Sequence, residues 1–543
     1  MNRTEMIQRL ASEPFDLLVV GGGITGAGVA REAALRGLKV GLVEANDFAY
    51  ATSSRSTKLI HGGLRYLKNF EFRLVRESVV ERQNLLFMAP HLVKATEFLF
   101  PVYEGDPDPL WMLHVGLTLY DWFAGRTNPI PHRMLKPGPL REREPWLRAD
   151  RLQGGALYAD CRTDDGRLTL EVIQSAAAHG AAVANYVKLT GFRKDGRGQI
   201  VGATVADQLS GEAFDVRASR VVAAAGPWAD AVRRLDDPGA PSILRLTKGV
   251  HLVVPHRRLP IRHAVVMRGR DGRMMFAVPS GDCTYIGTTD TDHHGDPAAY
   301  SIARADVDYV VDAARRLFPE AGLSEEDIIA GWSGFRPLLK PENEANPSAT
   351  SRDYKLFRTD SGLVTVGGGK LTAFRAMASH IVDDVFPATR SEAHLAASTA
   401  LLPGAQGKLP DEQQKRRLAG EIGTAGSLID RLADRYGTAL AQVADEARAV
   451  SAPDPELRWR LAQARHAVKA EMAVHLLDVV QRRTDLMLFT PHNGRPYLPA
   501  LADEMGALLG WSEAQKQAEI AATERELDAM FAWKRENGAT AAG

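Results

Sequence analysis

The sequence predicts an α/β fold: a doubly wound parallel sheet with an antiparallel-sheet region interleaved into it, followed by a separate all-α C-terminal domain. Three observations predict it. An apolar run, FDLLVV (residues 15–20), leads into a glycine-rich turn and a helix of small residues. A second apolar run, LKVGLVE (38–44), follows, so the segment has the size of one βαβ unit, about thirty residues. Farther on, strand-like runs at 199–207, 219–225, 250–254, 274–278 and 284–287 are punctuated by turn signals such as Asp195-Gly196 and Asp271-Gly272, the signature of antiparallel hairpins. From about residue 395 the texture changes, and 409–543 is rich in Ala, Leu, Glu and Arg with almost no strand signal.

The division that follows is 1–394 for the interleaved sheet regions and 395–543 for the helical domain, with the Pro- and Gly-bearing stretch 401–414 as linker. Helical spacing also marks 72–88 and 167–179. At 543 residues the chain is long enough for several domains, and 45% hydrophobic with 25% charged residues excludes disorder, collagen and coiled coil as descriptions of the whole. Cys161 and Cys283 are too few for a disulfide scaffold or a cysteine-rich metal site, and fit a reducing compartment. The 67 basic and 67 acidic residues cancel, so no global field collects nucleic acid, and none is expected as a partner. The amino terminus lacks the apolar centre of a secretory signal, and no apolar run reaches the roughly 18 residues of a membrane span.

The first constellation with chemistry is Gly21-x-Gly23-x-x-Gly26 between the two apolar runs, with Glu44 closing the second. Gly21 permits the tight turn, Gly23 clears a path for a pyrophosphate, and Gly26 lets helix and strand pack closely. Glu44 stands where a carboxylate takes both hydroxyls of an adenosine ribose. This is a Rossmann-like dinucleotide site. Two further glycine-bearing segments favour FAD over NAD: VVAAAGPWA (221–229), with Gly226, and LVTVGGGKLTAFRAMA (363–378), with Gly368, Gly369, Leu371 and Thr372. The second again reads strand, glycine turn, helix, which places N–H groups near the flavin end of an extended FAD.

Several segments then match one family in order. ATSSRSTKLIHGGLRYL (51–67), GPWAD (226–230), KGVHLVV (248–254), IGTTDTD (286–292), SGFRPLL (333–339) and GGGKLTAFR (367–375) resemble the FAD-dependent, quinone-linked glycerol-3-phosphate dehydrogenases. The resemblance runs from about residue 15 to about 490, and includes HLLDVVQRRT near its end. It implies oxidation of sn-glycerol 3-phosphate to dihydroxyacetone phosphate, hydride passing to FAD and electrons then to quinone. It also implies a peripheral position on the inner face of the cytoplasmic membrane.

A dianion with a secondary alcohol needs cations and a proton acceptor. Arg65, Arg336 and Lys370 lie in the most family-like segments and are expected to hold the substrate. At the position that faces substrate in the family stands His251, the first choice for the base, with Arg336 and Lys370 polarising the developing oxygen. Thr52, Ser53, Ser54 and Lys58 form a hydroxyl-rich loop expected on the cofactor, with Gly62 beside it and His61 as either a cofactor contact or the second candidate for the base. Asp290, Asp292, His293 and His294 lack metal-ligand spacing and read as a turn ending a strand. The aromatics of 110–124, followed by Arg126, Arg133 and Lys136, suit a membrane interface or an ordinary core. The helical domain is the candidate surface for a homodimer or for the membrane. An oxidase using oxygen and an amine or amino-acid oxidoreductase are the competing activities; one cation suffices for a carboxylate, and the three expected here favour phosphate.

Overall fold

A computed structural model describes residues 1–64, 71–125, 128, 130–340, 354–391, 394 and 397–538. Arg65 and Arg126 therefore lie outside the described residues. The apolar runs become the centre of the first sheet. β1 (Pro14–Val20) pairs in parallel with β2 (Val40–Val43) on one side and β10 (Ala213–Ala223) on the other. β7 (Ala182–Ala184) extends the parallel sheet beyond β2, and β18 (Val364–Gly368) extends it beyond β10. β17 (Tyr354–Arg358), β8 (Val187–Lys194) and β9 (Ile200–Asp207) add antiparallel edges. The chain leaves β1 toward β2 and returns to β10 on β1's other flank, so the strand order switches beside β1. In doubly wound sheets that switch opens a crevice at the carboxyl ends of the strands.

The second sheet is mostly antiparallel. It runs β15 (Thr291–His293), β11 (Leu244–Pro255), β14 (Cys283–Gly287), β13 (Met274–Ser280), β12 (Ala264–Arg268), β4 (Lys94–Tyr103), β6 (Leu152–Arg162), β3 (Leu59–Ile60). β16 (Ala330–Leu339) pairs with β11, and β5 (Arg133–Leu135) with β6. The described residues of this part form nine α-helices: α1 (Arg3–Ser12), α2 (Ile24–Leu35), α3 (Phe72–Met88), α4 (Leu110–Ala124), α5 (Pro137–Arg143), α6 (Asp165–Ala178), α7 (Ala229–Asp236), α8 (Arg304–Leu317) and α9 (Phe374–Val385). β4, β6 and α1 are not expected from the sequence.

Among the described residues beyond 397 there is no strand, and helices such as Gly426–Tyr436, Pro455–Glu471 and Leu498–Leu509 bury their own apolar cores. What joins these helices to the first sheet is charge. Asp47, in the loop after β2, receives Arg482 Nε at 2.6 Å and both ends of the Arg483 guanidinium at 2.7 and 2.8 Å. Arg482 also donates to Asp478 at 2.7 Å, and Asp478 accepts the Tyr186 hydroxyl at 2.6 Å. On α6, Arg167 pairs with Glu471, whose carbonyl accepts from Arg483 at 3.0 Å. Every ionic group in this chain, from Asp47 to Glu471, is buried.

Burial alone would raise the Asp47 carboxyl, but Arg483 and Arg482 outweigh it and hold the group down to about 2. A carboxylate depressed in the fold contributes stability above its unfolded value near 3.8, and that contribution is lost as pH falls toward 2. Asp47→Asn leaves two buried guanidiniums facing a neutral amide, so it should cost roughly 3–5 kcal/mol at neutral pH. Thermal melts from pH 7 to pH 2 should show the gap between wild type and variant closing only below about pH 4. A gap of the same size at every pH would mean that the carboxylate's charge does not hold the interface.

Candidate functional site

The glycine turn sits at the sheet's crevice. Gly21 has φ +113°, and a Cβ there would lie 2.5 Å from the Ala224 carbonyl at the end of β10; one at Gly26 would lie 1.9 Å from the Gly21 carbonyl. These glycines let β1, β10 and α2 close on one another, leaving the N-terminus of α2 facing the crevice. Glu44 follows β2, with Gly22 N–H donating to one carboxylate oxygen at 2.6 Å and Asn46 N–H to the other at 2.8 Å. Burial raises this carboxyl, while the amides of Asn46 and Gly22 oppose the rise and Asp47 adds to it. Glycines at a helix N-terminus, a fixed acid after β2 and the Gly368–Gly369 turn, with φ +80° and +112°, fit an extended FAD.

The hydroxyl loop is tied more to protein than expected. Ser53 Oγ accepts the N–H of Ile24 at 2.9 Å, which places it on the first turn of α2. Thr52 donates to the Phe335 carbonyl at 2.7 Å, so its hydroxyl fastens the loop to β16. Ser54 is buried and turned to the Ala51 carbonyl at 3.4 Å. Lys58 is engaged by protein: its Nζ donates to the buried Asp165 at 2.6 Å, which also holds Ser56, and to the Ser54 carbonyl at 3.2 Å. Gly62 spends its N–H on Tyr120 and Asp160, at 2.7 and 3.2 Å.

The second sheet supplies the other wall. β11 and β16 pair with His251 opposite Trp332, Gly249 opposite Gly334, and Thr247 opposite Arg336. Because strand side chains alternate, these pairs share one face. The two rings stack, centroids 4.6 Å apart and planes 11° apart. The glycine pair leaves the space between: a Cβ at Gly249 would lie 2.6 Å from the Arg336 guanidinium, and one at Gly334 2.7 Å from the Arg55 carbonyl. Arg336 donates to Thr288 Oγ1 at 3.0 Å and to Asp290 at 3.1 Å, and Asp290 also pairs with Arg273. Asp292 pairs with Arg245 at 2.7 Å, so both acids are engaged by arginines.

His251, Arg336, Lys370, Leu371, Thr372, Gly369 and His61 line one cavity of about 230 Å³. It has two halves. The polar half also contains Arg55, Thr57 and Thr288; the other is apolar, with Leu64, Phe98, Phe100, Tyr158, Val266 and Phe276. Arg55 went unremarked in the sequence, although it sits inside the TSSRST motif; its guanidinium stacks 4.0 Å over the Tyr300 ring. His251 Nε2 is 3.1 Å from Thr57 Oγ1, and Nδ1 is buried without a hydrogen-bond partner among the described residues. Burial, then Arg336 and Lys58, pushes the imidazole well below its usual 6.5, so it is neutral at physiological pH.

A neutral base beside guanidiniums and a lysine is equipped to bind an anion and take a proton from it. The comparisons point the same way. Residues 16–383 match the family described as FAD dependent oxidoreductase, and 396–516 match the C-terminal domain of alpha-glycerophosphate oxidase. The aerobic glycerol-3-phosphate dehydrogenase of Staphylococcus haemolyticus is 36% identical over 95% of each chain. The crystal structure of the glycerol-3-phosphate dehydrogenase from Bacillus halodurans complexed with FAD superposes with a TM-score of 0.82, at 33% identity and 98% coverage of both chains. An L-alpha-glycerophosphate oxidase from Mycoplasma pneumoniae shares the fold, with a TM-score of 0.53 at 19% identity over 69% of this chain and 95% of that one.

The Glu44 geometry gives a direct expectation. Glu44→Gln keeps the side chain's shape but turns an NH2 toward one of the two amide donors, so the acid's seat is lost. FAD retained per protein, read from the flavin absorbance after gel filtration, should fall with a loss of affinity of about tenfold or more. Retention equal to wild type would show that Glu44 only braces the turn.

Proposed function

The chain belongs to the FAD-dependent glycerol-3-phosphate dehydrogenases, and we propose from that membership and from the cavity that it oxidises sn-glycerol 3-phosphate to dihydroxyacetone phosphate. The observation that carries this reading is a neutral histidine sharing one small cavity with Arg55, Arg336 and Lys370. An amino-acid substrate needs one cation for its carboxylate; a phosphate dianion accounts for the excess. FAD, when bound, accepts the hydride from C2.

The protein's own work is binding and proton transfer. Arg336, steadied by Thr288 and Asp290, and Arg55, steadied by Tyr300, hold the phosphate. His251 takes the C2 hydroxyl proton; its ring is fixed by Trp332 on one face and Thr57 at Nε2. Lys370 stabilises negative charge on the oxygen as the carbonyl forms. The apolar half of the cavity keeps water away and suits a quinone as the next electron acceptor.

We place the membrane contact on α3 and α4. Trp111 and Trp122 are 66% and 73% exposed, with Met112 and Val115 on the same helix and Phe72 and Val80 exposed on α3. α3 also exposes Arg73 and Arg76, and Arg133 lies nearby after α4. Aromatics and aliphatics rimmed by arginines fit an anionic lipid surface. No helix among the described residues is long and apolar enough to cross a membrane.

Anaerobic addition of glycerol 3-phosphate should bleach the flavin bands, whereas glycerol and amino acids should not. His251→Asn should slow bleaching by about 10²–10⁴-fold with FAD still bound. Bleaching by an amino acid instead would overturn the substrate. Reoxidation by a soluble quinone faster than by oxygen supports the dehydrogenase over an oxidase; rapid peroxide release reverses that choice.

The lipid contact is checked separately. Trp111→Ser with Trp122→Ser should reduce co-sedimentation with phosphatidylglycerol vesicles by about tenfold or more and leave flavin bleaching intact. Unchanged sedimentation would move the contact elsewhere. Loss of a concentration-dependent dimer in light scattering would assign the face to a second copy of the chain.

A further inference from the structure

One group of buried polar residues has no assigned role so far, although its carboxylate also lines the cavity: Arg82 on α3, Tyr120 on α4 and Asp160 on β6. Tyr120 is 1% exposed, on the side of α4 opposite Trp111 and Trp122. Its hydroxyl donates to Asp160 Oδ1 at 2.5 Å and accepts the N–H of Gly62 at 2.7 Å. Arg82, fully buried, donates to the same Asp160 oxygen at 2.8 Å and to the Ala159 carbonyl at 2.7 Å. Its guanidinium lies 5.2 Å from the centre of the Tyr120 ring. Burial raises the Asp160 carboxyl, with Arg82 and the Tyr120 hydroxyl opposing.

Gly62 is moulded to this group. A Cβ there would lie 2.3 Å from the Tyr120 oxygen and 2.5 Å from Val79. The glycine of the His61-Gly62-Gly63 motif thus answers to the close approach of α4. On its other side the loop is held where Thr372 Oγ1 meets the His61 carbonyl at 3.5 Å. His61 and Gly63 themselves face the cavity. The loop is clamped from both sides, and the α4 side is the stronger, because it joins a buried N–H to a hydroxyl and a carboxylate.

We propose that Tyr120 is a positioning residue for the reaction: through the Gly62 amide it fixes the His61–Gly63 loop against the cavity, so the seating of the exposed helix α4 sets the geometry of the active site. This rests on reading the cavity as the site of glycerol 3-phosphate oxidation. Tyr120 does not line the cavity. Its hydroxyl determines where His61 stands, and misplacement of a cavity wall shows in the rate of the chemical step more than in substrate affinity.

The test uses the full chain with FAD bound. Tyr120→Phe removes only the hydroxyl. In anaerobic stopped flow with glycerol 3-phosphate, its limiting rate of bleaching per bound flavin should fall by about tenfold or more. The half-saturating concentration should stay within about threefold. Leu501→Ala is the companion variant, since Leu501 is fully buried in the helix Leu498–Leu509 and packs in an apolar cluster that shares no residue with the cavity. It should lower the melting temperature yet leave the rate per flavin within about twofold. A wild-type rate in Tyr120→Phe, or an equal loss of rate in Leu501→Ala, overturns the proposal. If glycerol 3-phosphate fails to bleach even the wild type, the substrate reading fails on its own. The visible bands of the bound flavin then decide positioning: a shift in Tyr120→Phe and none in Leu501→Ala supports it, and identical bands overturn it.

Discussion

The buried charge cluster around Asp47 is the constraint on which the rest of the architecture leans. Asp47 stands three residues past Glu44, on the loop that leaves β2 for the cofactor-facing segment. Arg482 and Arg483 reach it from the helical domain, across more than four hundred residues of sequence. Isolated in a low-dielectric interior, none of these charges would be tolerable; together, with Asp478, Tyr186, Glu471 and Arg167, each has its partner. The helical domain therefore does more than cap the sheets. It supplies the cations that let an acid sit buried behind the nucleotide loop, and removing either side leaves uncompensated charge in the core.

The second organising feature is the pairing of β11 with β16. An antiparallel register fixes which side chains meet, and here it places a histidine against a tryptophan, glycine against glycine, and a threonine against an arginine. The opposed glycines hollow the strand surface so that the Arg336 guanidinium can lie across it. A slip by one residue between the two strands would put His251 and Arg336 on opposite faces, so their meeting in one cavity depends on this ladder.

How much of this was legible in the sequence follows from how local each feature is. Gly21, Gly23, Gly26 and Glu44 belong to one contiguous unit, and strand, turn and helix chemistry alone predict its shape. β11, β13 and β14 show as apolar runs between turn residues. β4 and β6 do not, because Pro101 lies inside the one and Gly154-Gly155 inside the other, and these residues break the apolar runs. Motif membership marked 51–67 as important, yet division of labour inside it depends on tertiary partners. Thr52 faces a carbonyl of β16, Lys58 faces Asp165 of α6, and Arg55 reaches the cavity because Tyr300 supports it. Gly62 resembled a cofactor glycine, but its neighbour is Tyr120, fifty-eight residues away. Residues 110–124 could be core or interface by composition; the helix buries Leu113, Leu117 and Tyr120 and turns Trp111 and Trp122 outward.

The electrostatics of the cavity tie binding to catalysis. Before substrate arrives, desolvation and the positive charges of Arg336 and Lys58 keep His251 unprotonated, so its lone pair is available at any physiological pH. The same field lowers its basicity, which taken alone would make it a poor proton acceptor. In the reaction proposed above, a phosphate dianion against Arg336 offsets that residue's share of the field. The imidazole would then regain affinity for a proton with the hydroxyl that must give one up held nearby. An uncharged alcohol such as glycerol would bring no such compensation, so discrimination against it would arise from the base as well as from the binding of phosphate. On that proposal, recognition of the phosphate and activation of the base are one electrostatic event.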